Sequence, residues 1–390
     1  MATIFDYLDW RGDLPFKQVP FNAVDNIIFC RLSYLPFDGI VPGPSEDAVM
    51  TIGEAAEHFA DMMGRKKNMI ESQIVMKDDP VFLDVLGKSP RFRDLGLTRY
   101  VNNIDISKEK QFSALTILID DGSTFVSFRG TDNTIVGWKE DFNISFMDNV
   151  PSQLEAAAYL NDTGKCIWGP LKTGGHSKGG NLAIYASAFC KKSVQKRISA
   201  VYNNDAPGFN ESVIESEGYK SIKDRIHTFV PQDSVIGMLF EHEGEYTVVK
   251  SVETGLLQHD VYSWEVGRDD VVRLNTVTKQ STFMDHTFKD WITGLSNEQR
   301  EQFTEALYHI LKATDAKTIP ELTSSWLKNA KLMIQSLNTI DKPTKDLVYK
   351  SIAALIKAAR NNIRILLPDT YTKQGSQSKQ QRNSLSEKAK

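Results

Sequence analysis

The sequence predicts an α/β fold with a mostly parallel central sheet flanked by helices, and two observations carry this prediction. From about residue 151 onward, β-rich and helical segments alternate, which is typical of parallel strands joined by crossover helices. Immediately before them, β-rich runs at residues 112–119 and 124–128 flank Asp121-Gly122, a pair that favours a tight hairpin turn. A hairpin that feeds a parallel sheet indicates a mixed sheet.

The overall composition excludes several classes of protein. The 390 residues are 41% hydrophobic and carry a net charge of −4, so nothing in the charge favours a nucleic-acid partner. Cys30, Cys166 and Cys190 have no motif spacing, which indicates buried thiols in a reducing compartment rather than a disulfide framework. Acidic residues interrupt the N-terminus, and no apolar run reaches the roughly 18 residues that span a bilayer, so we expect a cytoplasmic location.

The first part of the chain, residues 1–105, is expected to form a mixed, partly helical segment that packs on the core. Thr51 and Glu54 have the spacing of a capping box and predict the start of one helix. Asp79-Pro80 predicts the start of a second, because proline is favoured in the first turn of a helix.

The central part, residues 106–294, is predicted to form the α/β core. After the hairpin, the predicted elements are a helix at about 151–161, a strand that ends near Gly174, a helix at about 179–191, and strands at 199–203 and 226–230. This alternation places helices on both faces of the sheet.

The last part is predicted to contain a helical region at residues 295–368 and a disordered tail at 369–390. Ser296 and Gln299 start one helix with a capping-box spacing, a second is expected from Thr318, and a third covers about 344–366. Apolar residues at helical spacing are expected to face the core, namely Phe303, Leu307, Ile310 and Leu311, and then Leu347, Ile352, Leu355, Ala359 and Ile363. The tail is too polar to fold alone.

A serine lies between glycines in residues 172–187, KTGGHSKGGNLAIYAS, where Gly175, Ser177 and Gly179 form the pattern G-x-S-x-G. A short β-type run precedes the pattern and an Ala-rich helical segment follows it, as in a nucleophile elbow that exposes the serine hydroxyl on a sharp turn. A phosphate-binding loop is excluded because Lys178 precedes the last glycine and no hydroxyl follows it. The remaining alternative is a glycine-rich helix entry that Ser177 caps.

A serine nucleophile needs a histidine base and an acid that orients it, which follow the serine in the order acid, then histidine, in α/β-hydrolases. Asp233 follows the strand that ends near Val230 and is the favoured acid, with Asp205 as its rival one strand earlier. His259 follows a β-rich run and is the favoured base, with His286 as the alternative.

Two motifs carry a resemblance to a known family. Phe128-Arg129-Gly130-Thr131, followed by the Trp138–Asp141 segment WKED, closely resembles the F-R-G-[ST] and W-x-x-D signature of class 3 lipases. The segment GGHSKGGNLA at 174–183 resembles the elbow of the same family. Over about residues 110–265 the layout looks like an uncharacterised bacterial branch of class 3 lipase-like α/β-hydrolases.

The resemblance implies an α/β-hydrolase fold with a helical C-terminal extension, and a serine hydrolase that cleaves acyl esters through an acyl-enzyme without metal or cofactor. It implies that Thr131 and the backbone N–H of Lys178 form the oxyanion hole, and that residues 132–146 occupy the place of the lipase lid. Ile135, Val136, Trp138 and Phe142 would then share one helical face. Lys178 is a departure, because the family often has leucine there.

These features leave the following expectations open to test. The substrate is expected to be a small acyl ester or a lipid, with no nucleic acid and with peripheral contact to a membrane surface as a further option. The alternatives are an acyltransferase that uses Ser177, Asp233 and His259 in the same way, and a non-catalytic scaffold of the same fold. The oligomeric state is not predicted.

Overall fold

The computed structural model describes residues 1–71, 73–105, 107, 109–132, 134–144, 147–239, 244–314, 316 and 326–366. Within these residues the chain forms one mixed sheet whose strands lie side by side in sequence order. The strands are β1 (Met50–Thr51), β2 (Gly96–Asp105), β3 (Lys110–Leu118), β4 (Thr124–Phe128), β5 (Leu171–His176), β6 (Ile198–Asn204), β7 (Ile226–Pro231), β8 (Tyr246–Val249) and β9 (Arg273–Leu274).

The parallel strands occupy the centre of the sheet and the antiparallel strands extend both edges. The pairings from β4 through β8 are parallel. The pairings from β1 through β4, and that of β8 with β9, are antiparallel. The predicted hairpin is present between β3 and β4, where Gly122 has a φ of 84° and Asp121 Oδ1 accepts from the Ser123 backbone at 2.8 Å. The sheet is therefore mixed, as the hairpin indicates, with parallel strands at its centre.

Helices flank the sheet and also form the C-terminal region, so the α/β class and the helical C-terminal region are confirmed. The helices are α1 (Ile4–Arg11), α2 (Ala23–Leu32), α3 (Ile52–Glu71), α4 (Asp79–Lys88), α5 (Ile135–Asn143), α6 (Pro151–Cys166), α7 (Lys178–Phe189), α8 (Lys192–Gln195), α9 (Glu211–Ile214), α10 (Glu217–Lys220), α11 (Lys279–Thr293), α12 (Asn297–Lys312), α13 (Trp326–Thr339) and α14 (Lys342–Asn362).

The two faces of the sheet carry separate apolar cores. Alternation along β3 sends Leu115 and Ile117 to the core shared with α1–α4, and Phe112 and Ala114 to the core shared with α6 and α7. Because β3 contributes side chains to both cores, the sheet is buried on both sides at this strand.

Buried ion pairs join the N-terminal elements to one another, and a hydrogen bond joins them to the segment after His259. Arg91 and Asp25 are fully buried and their side chains lie 2.6 Å apart. Arg31 on α2 pairs with Asp79 at 2.6 Å, and Asp79 also accepts from the Tyr262 hydroxyl at 2.8 Å. Through Asp79, the N-terminal helices thus hold the segment that directly follows His259.

The structure departs from the sequence analysis in two places. β1 and β2 extend the sheet into the part expected to lie outside it, before residue 106. Ile352 and Ile363, expected to face the core, are 44% and 51% exposed, because α14 packs on α11 through a different side. The helix expected from Thr318 and the tail at 369–390 lie outside the described residues.

In the part of the chain that the structure describes, none of the helices has both the length and the apolar composition needed to cross a bilayer.

Candidate active site

Ser177 lies on a sharp turn between β5 and α7. Its φ of 57° and ψ of −137° fall outside the regions that most residues adopt, so the turn stores backbone strain of about 1–3 kcal/mol. A Cβ on Gly175 would lie 2.1 Å from the carbonyl carbon of Gly179, and one on Gly179 would lie 2.1 Å from the Phe128 carbonyl oxygen. Only glycine permits these contacts, so the predicted strand–turn–helix geometry around a partly exposed serine is present.

His259 is held by the carboxylate of Asp205, the residue that directly follows β6. Its Nδ1 lies 2.7 Å from Oδ2 of Asp205, and because a carboxylate accepts, Nδ1 carries the proton. Nε2 of the neutral ring is then left with a lone pair, which is the tautomer that a general base needs. The Asp205 side chain is 1% exposed and that of His259 is 27% exposed, so the carboxylate is shielded from solvent while the imidazole reaches the surface.

Asp205 is directed at His259 by its place at the end of β6. His176 and Asn204 are paired across β5 and β6, so Ser177 and Asp205 each follow their strand at the same level. Asp205 has a φ of 53°, and its Oδ1 accepts from the Ser234 hydroxyl and from the Gly237 backbone at 3.1 Å. Both carboxylate oxygens are thereby satisfied.

Asp233, the acid that the sequence analysis favoured, occupies a different position, so the expected pairing with His259 is corrected to Asp205. The Asp233 carboxylate accepts from Gln258 Nε2 at 2.9 Å, from the Gly255 backbone at 3.2 Å and from the Thr278 hydroxyl. The Asp233 backbone in turn donates to Gln258 Oε1 at 2.9 Å. Asp233 therefore anchors the Gly255–His259 turn through Gln258, the residue beside the histidine.

His176 connects the serine turn to His259. Its Nε2 lies 2.7 Å from the carbonyl oxygen of His259 and must donate, so Nδ1 accepts from the Tyr34 hydroxyl, 3.0 Å away. The two imidazole rings are 4.4 Å apart between centroids. Burial, together with the neighbouring His259 ring, lowers the pKa of His176 well below its usual range, so this ring stays neutral. Its role in the structure is to hold the backbone of His259 against the turn that carries Ser177.

Lys178, the residue after the serine, forms a fully buried ion pair with Glu140 of α5, 2.9 Å apart. Lys178 Nζ also donates to the backbone and side-chain oxygens of Gln111, at 2.9 Å and 2.7 Å. Glu140 accepts in addition from the backbones of Gln111 and Ser152, at 3.1 Å and 3.0 Å. All three ammonium protons and both carboxylate oxygens thus have partners, as a buried pair requires. Lys178 is the first residue of α7, so its backbone N–H has no acceptor within the helix.

Thr131 lies at the end of the loop that follows β4, next to the serine turn. A Cβ on Gly130 would lie 3.0 Å from the Ser177 Cβ, which fixes this loop beside the candidate nucleophile. The Thr131 hydroxyl donates to Asp141 Oδ2 at 2.5 Å. Asp141 Oδ1 is buried and has no hydrogen-bond partner among the described residues. Burial raises the pKa of Asp141 to about 6, against the opposing effect of the Lys178 cation.

Comparison with family models gives a match that covers more than half of the chain, residues 86–309, to the family described as Mbeg1-like. The chain belongs to the Mbeg1-like family. A search of the curated proteins found no match. Among solved structures, the chain is similar to the M37 lipase, at 12% identity and a TM-score of 0.34, with 69% of this chain and 92% of that chain covered.

Two fungal enzymes were also found in the comparison of this Mbeg1-like chain with solved structures. The lipase of Rhizopus microsporus var. chinensis is 16% identical, with 64% of this chain and 89% of that chain covered and a TM-score of 0.33. The native propeptide complex of Rhizomucor miehei lipase is 15% identical, with 52% and 70% covered and a TM-score of 0.31. In the Mbeg1-like chain itself, a serine turn, a carboxylate and a histidine follow one another along one sheet edge, so the predicted α/β-hydrolase fold is confirmed.

Helix α5 of the Mbeg1-like chain, which lies in the segment where the sequence analysis expected a lid, packs against the C-terminal helix α12. Lys139 pairs with Glu305 of α12 at 2.6 Å and with Glu109 at 2.5 Å, and its ammonium lies 4.5 Å from the centroid of the Tyr308 ring. Trp138 remains 45% exposed. The side chains of Ile135 and Val136, and residues 133, 145 and 146, lie outside the described part, so the shared apolar face stays a prediction.

The remaining candidate, His286, is exposed on α11. Sequence reasoning named Asp205 only as a rival and gave no role to Gln258 or Glu140. The signal for Asp205 was local: it directly follows a strand and precedes Ala206-Pro207 at a turn. No local signal marks Glu140, whose partner is 38 residues away in the sequence.

Proposed function

We propose that this protein is a serine hydrolase that cleaves acyl esters through an acyl-enzyme intermediate. The observation that carries the proposal is the 2.7 Å contact between His259 Nδ1 and the Asp205 carboxylate. Asp205 holds the Nδ1 proton, which leaves Nε2 as the base, and His176 holds the same residue against the turn of Ser177.

In the proposed mechanism, Ser177 attacks the ester carbonyl while His259 takes its proton, and Asp205 stabilises the imidazolium that forms. The alcohol leaves with the proton from His259, and water then attacks the acyl-enzyme with His259 again as the base. The backbone N–H of Lys178 and the residue Thr131 are the proposed donors to the oxyanion, each worth roughly 3 kcal/mol of transition-state stabilisation. In the ground state the Thr131 hydroxyl proton is directed at Asp141, so the Thr131 backbone N–H is the simpler donor.

An apolar acyl group is the proposed substrate class. Leu256 and Leu257 lie on the turn that carries His259 and are 67% and 65% exposed. Exposed leucines beside a catalytic base favour contact with a hydrocarbon chain over contact with a polar peptide. The bacterial branch and the cytoplasmic location stay predictions, as no further observation bears on them.

The test is covalent labelling with a fluorophosphonate probe together with hydrolysis of a p-nitrophenyl ester series of increasing acyl length. We expect the wild type to react with both and Ser177→Ala with neither, while the melting temperature of Ser177→Ala stays close to that of the wild type. A folded wild type that neither labels nor hydrolyses would support the non-catalytic scaffold instead. Ester turnover with acyl transfer to an added alcohol as the main product would support the acyltransferase.

A further inference from the structure

Helix α14 and the turn after it carry an exposed apolar face. Tyr349, Ile352, Ile356 and Ile363 are 51%, 44%, 48% and 51% exposed. Their spacings of three, four and seven residues place them in one line along the helix, which we call the α14 stripe. An unbroken row of exposed large apolar side chains is uncommon on a protein surface and marks an interaction site.

The opposite side of α14 is fixed to the rest of the protein. Val348, Ser351 and Ala358 are buried, and α14 packs on α11 and α12. Trp291 Nε1 donates to the Ser351 carbonyl at 2.9 Å, and Asn362 Nδ2 donates to Asp290 at 2.8 Å. The outward direction of the α14 stripe is therefore set by packing and does not require the helix to detach.

Cations line the same segment. Residues 342–366 contain one acidic side chain, Asp346, and six basic ones, although the whole chain has a net charge of −4. The basic residues are Lys342, Lys345, Lys350, Lys357, Arg360 and Arg364. Lys357 directly follows Ile356, and Arg360 lies one helical turn after Ile356. These two cations therefore flank the α14 stripe on its solvent side. A helix with an apolar line beside a row of cations has the pattern of an interfacial membrane helix.

We infer that the α14 stripe docks this protein on a membrane surface that carries anionic headgroups. The apolar side chains enter the boundary between headgroups and acyl chains while the cations meet the phosphates. A second copy of the chain is disfavoured, because it would bring two sets of six cations together. A polyanion without an apolar phase, such as RNA, would use the cations and leave the α14 stripe in water. The inference is independent of the proposed catalytic function, because binding does not require Ser177.

The test is flotation of the full chain with vesicles of phosphatidylcholine, with and without about one third phosphatidylglycerol. We expect binding to the anionic vesicles, and its loss when salt rises from about 0.1 M to about 1 M, which shortens the screening length from about 10 Å to about 3 Å. Ile352→Ser with Ile356→Ser should weaken binding about tenfold or more. Lys357→Gln with Arg360→Gln should weaken it about twenty-five-fold, at about fivefold per cation.

A matched control removes one exposed apolar residue and one exposed cation elsewhere. Trp168 is 81% exposed and Lys196 is exposed, and Trp168→Ser with Lys196→Gln should leave binding unchanged. The substituted side chains are all at the surface, and unchanged melting temperatures would show that the variants are folded. Binding that the control pair abolishes, or that survives both α14 pairs, overturns the inference. If the protein binds a single-stranded RNA as strongly as the anionic vesicles, and the isoleucine substitutions do not weaken binding, the inference is overturned in favour of a polyanion ligand.

Discussion

The buried ion pair of Lys178 and Glu140 leads to a specific prediction for stability. Each single substitution should lower the free energy of unfolding more than the double substitution does. Lys178→Met leaves a buried carboxylate with only its two backbone donors, and Glu140→Gln leaves a buried ammonium with only the two oxygens of Gln111. Each single change should lower the free energy of unfolding by about 3–5 kcal/mol, because one charge is left buried without its partner.

The double variant removes both charges together. Its main loss is one acceptor, since the amide that replaces the Glu140 carboxylate offers one oxygen where Glu140 serves two backbone N–H groups. We expect a cost of about 1–3 kcal/mol for that unsatisfied donor, and therefore a coupling energy of at least about 3 kcal/mol between the two positions.

The assay is thermal and urea unfolding followed by circular dichroism. With about 2.1 cal/mol/K of unfolding entropy per residue and 390 residues, a loss of 3–5 kcal/mol corresponds to about 4–6 °C in melting temperature. The control is the pair Lys88–Asp84, 2.7 Å apart but 74% and 60% exposed, where the coupling should be at most about 0.5 kcal/mol. Additive effects at Lys178 and Glu140 would refute the reasoning that their stability is shared.

The remaining predictions concern the candidate site. Asp205→Asn should lower kcat for ester hydrolysis about 10⁴-fold, because His259 would no longer be held in the tautomer with the proton on Nδ1. Asp233→Asn should lower kcat only about tenfold. A larger loss of kcat at Asp233 would reverse the assignment of the acid. The pKa of Asp141 is raised to about 6 in the folded state, against about 4 in the unfolded chain. Between these two pH values the folded state holds a proton that the unfolded chain has lost, so the free energy of unfolding falls as pH rises. Asp141→Asn should accordingly be up to about 3 kcal/mol more stable than the wild type at pH 8 in urea unfolding, with the difference shrinking toward pH 4. Gly130→Ala would place Cβ 2.1 Å from the Tyr34 hydroxyl and 2.5 Å from the His176 carbonyl, so kcat/KM should fall at least about a hundredfold. As a control, Gly64→Ala adds a Cβ with no described atom within 4 Å and should stabilise α3 by about 0.5–1 kcal/mol. Unchanged turnover in Gly130→Ala would count against the placement of that loop.

The parts of the site that local sequence determines were predictable. The glycines around Ser177 are required by contacts within one strand–turn–helix, so the pattern itself predicts the strained turn. The partner of His259 was not predictable in the same way. Asp205 and Asp233 both follow strands, and the choice depends on the register across β5, β6 and β7, a relation between distant segments.

The N-terminal part and α14 show two other limits of sequence patterns. All but the first residue of α2 are buried, including Asp25 and Arg31, so the helix lacks the polar face that periodicity detects. In α14 the periodicity correctly indicated a helix, but a repeat of apolar residues does not show which side meets a neighbour. Ile352 belongs to a face that none of the described elements buries to any large extent.

The family match begins at residue 86, and this boundary has a practical consequence for anyone who shortens the gene. A fragment cut there would lack Asp25 and Asp79, and would leave the Arg91 guanidinium and the Tyr262 hydroxyl without the carboxylates that they contact. It would also bare Phe125, whose ring contacts Phe21 and Phe29. Such a fragment should be recovered as aggregate or lost to cellular proteases, and expression trials should therefore retain α1 to α4 together with the sheet.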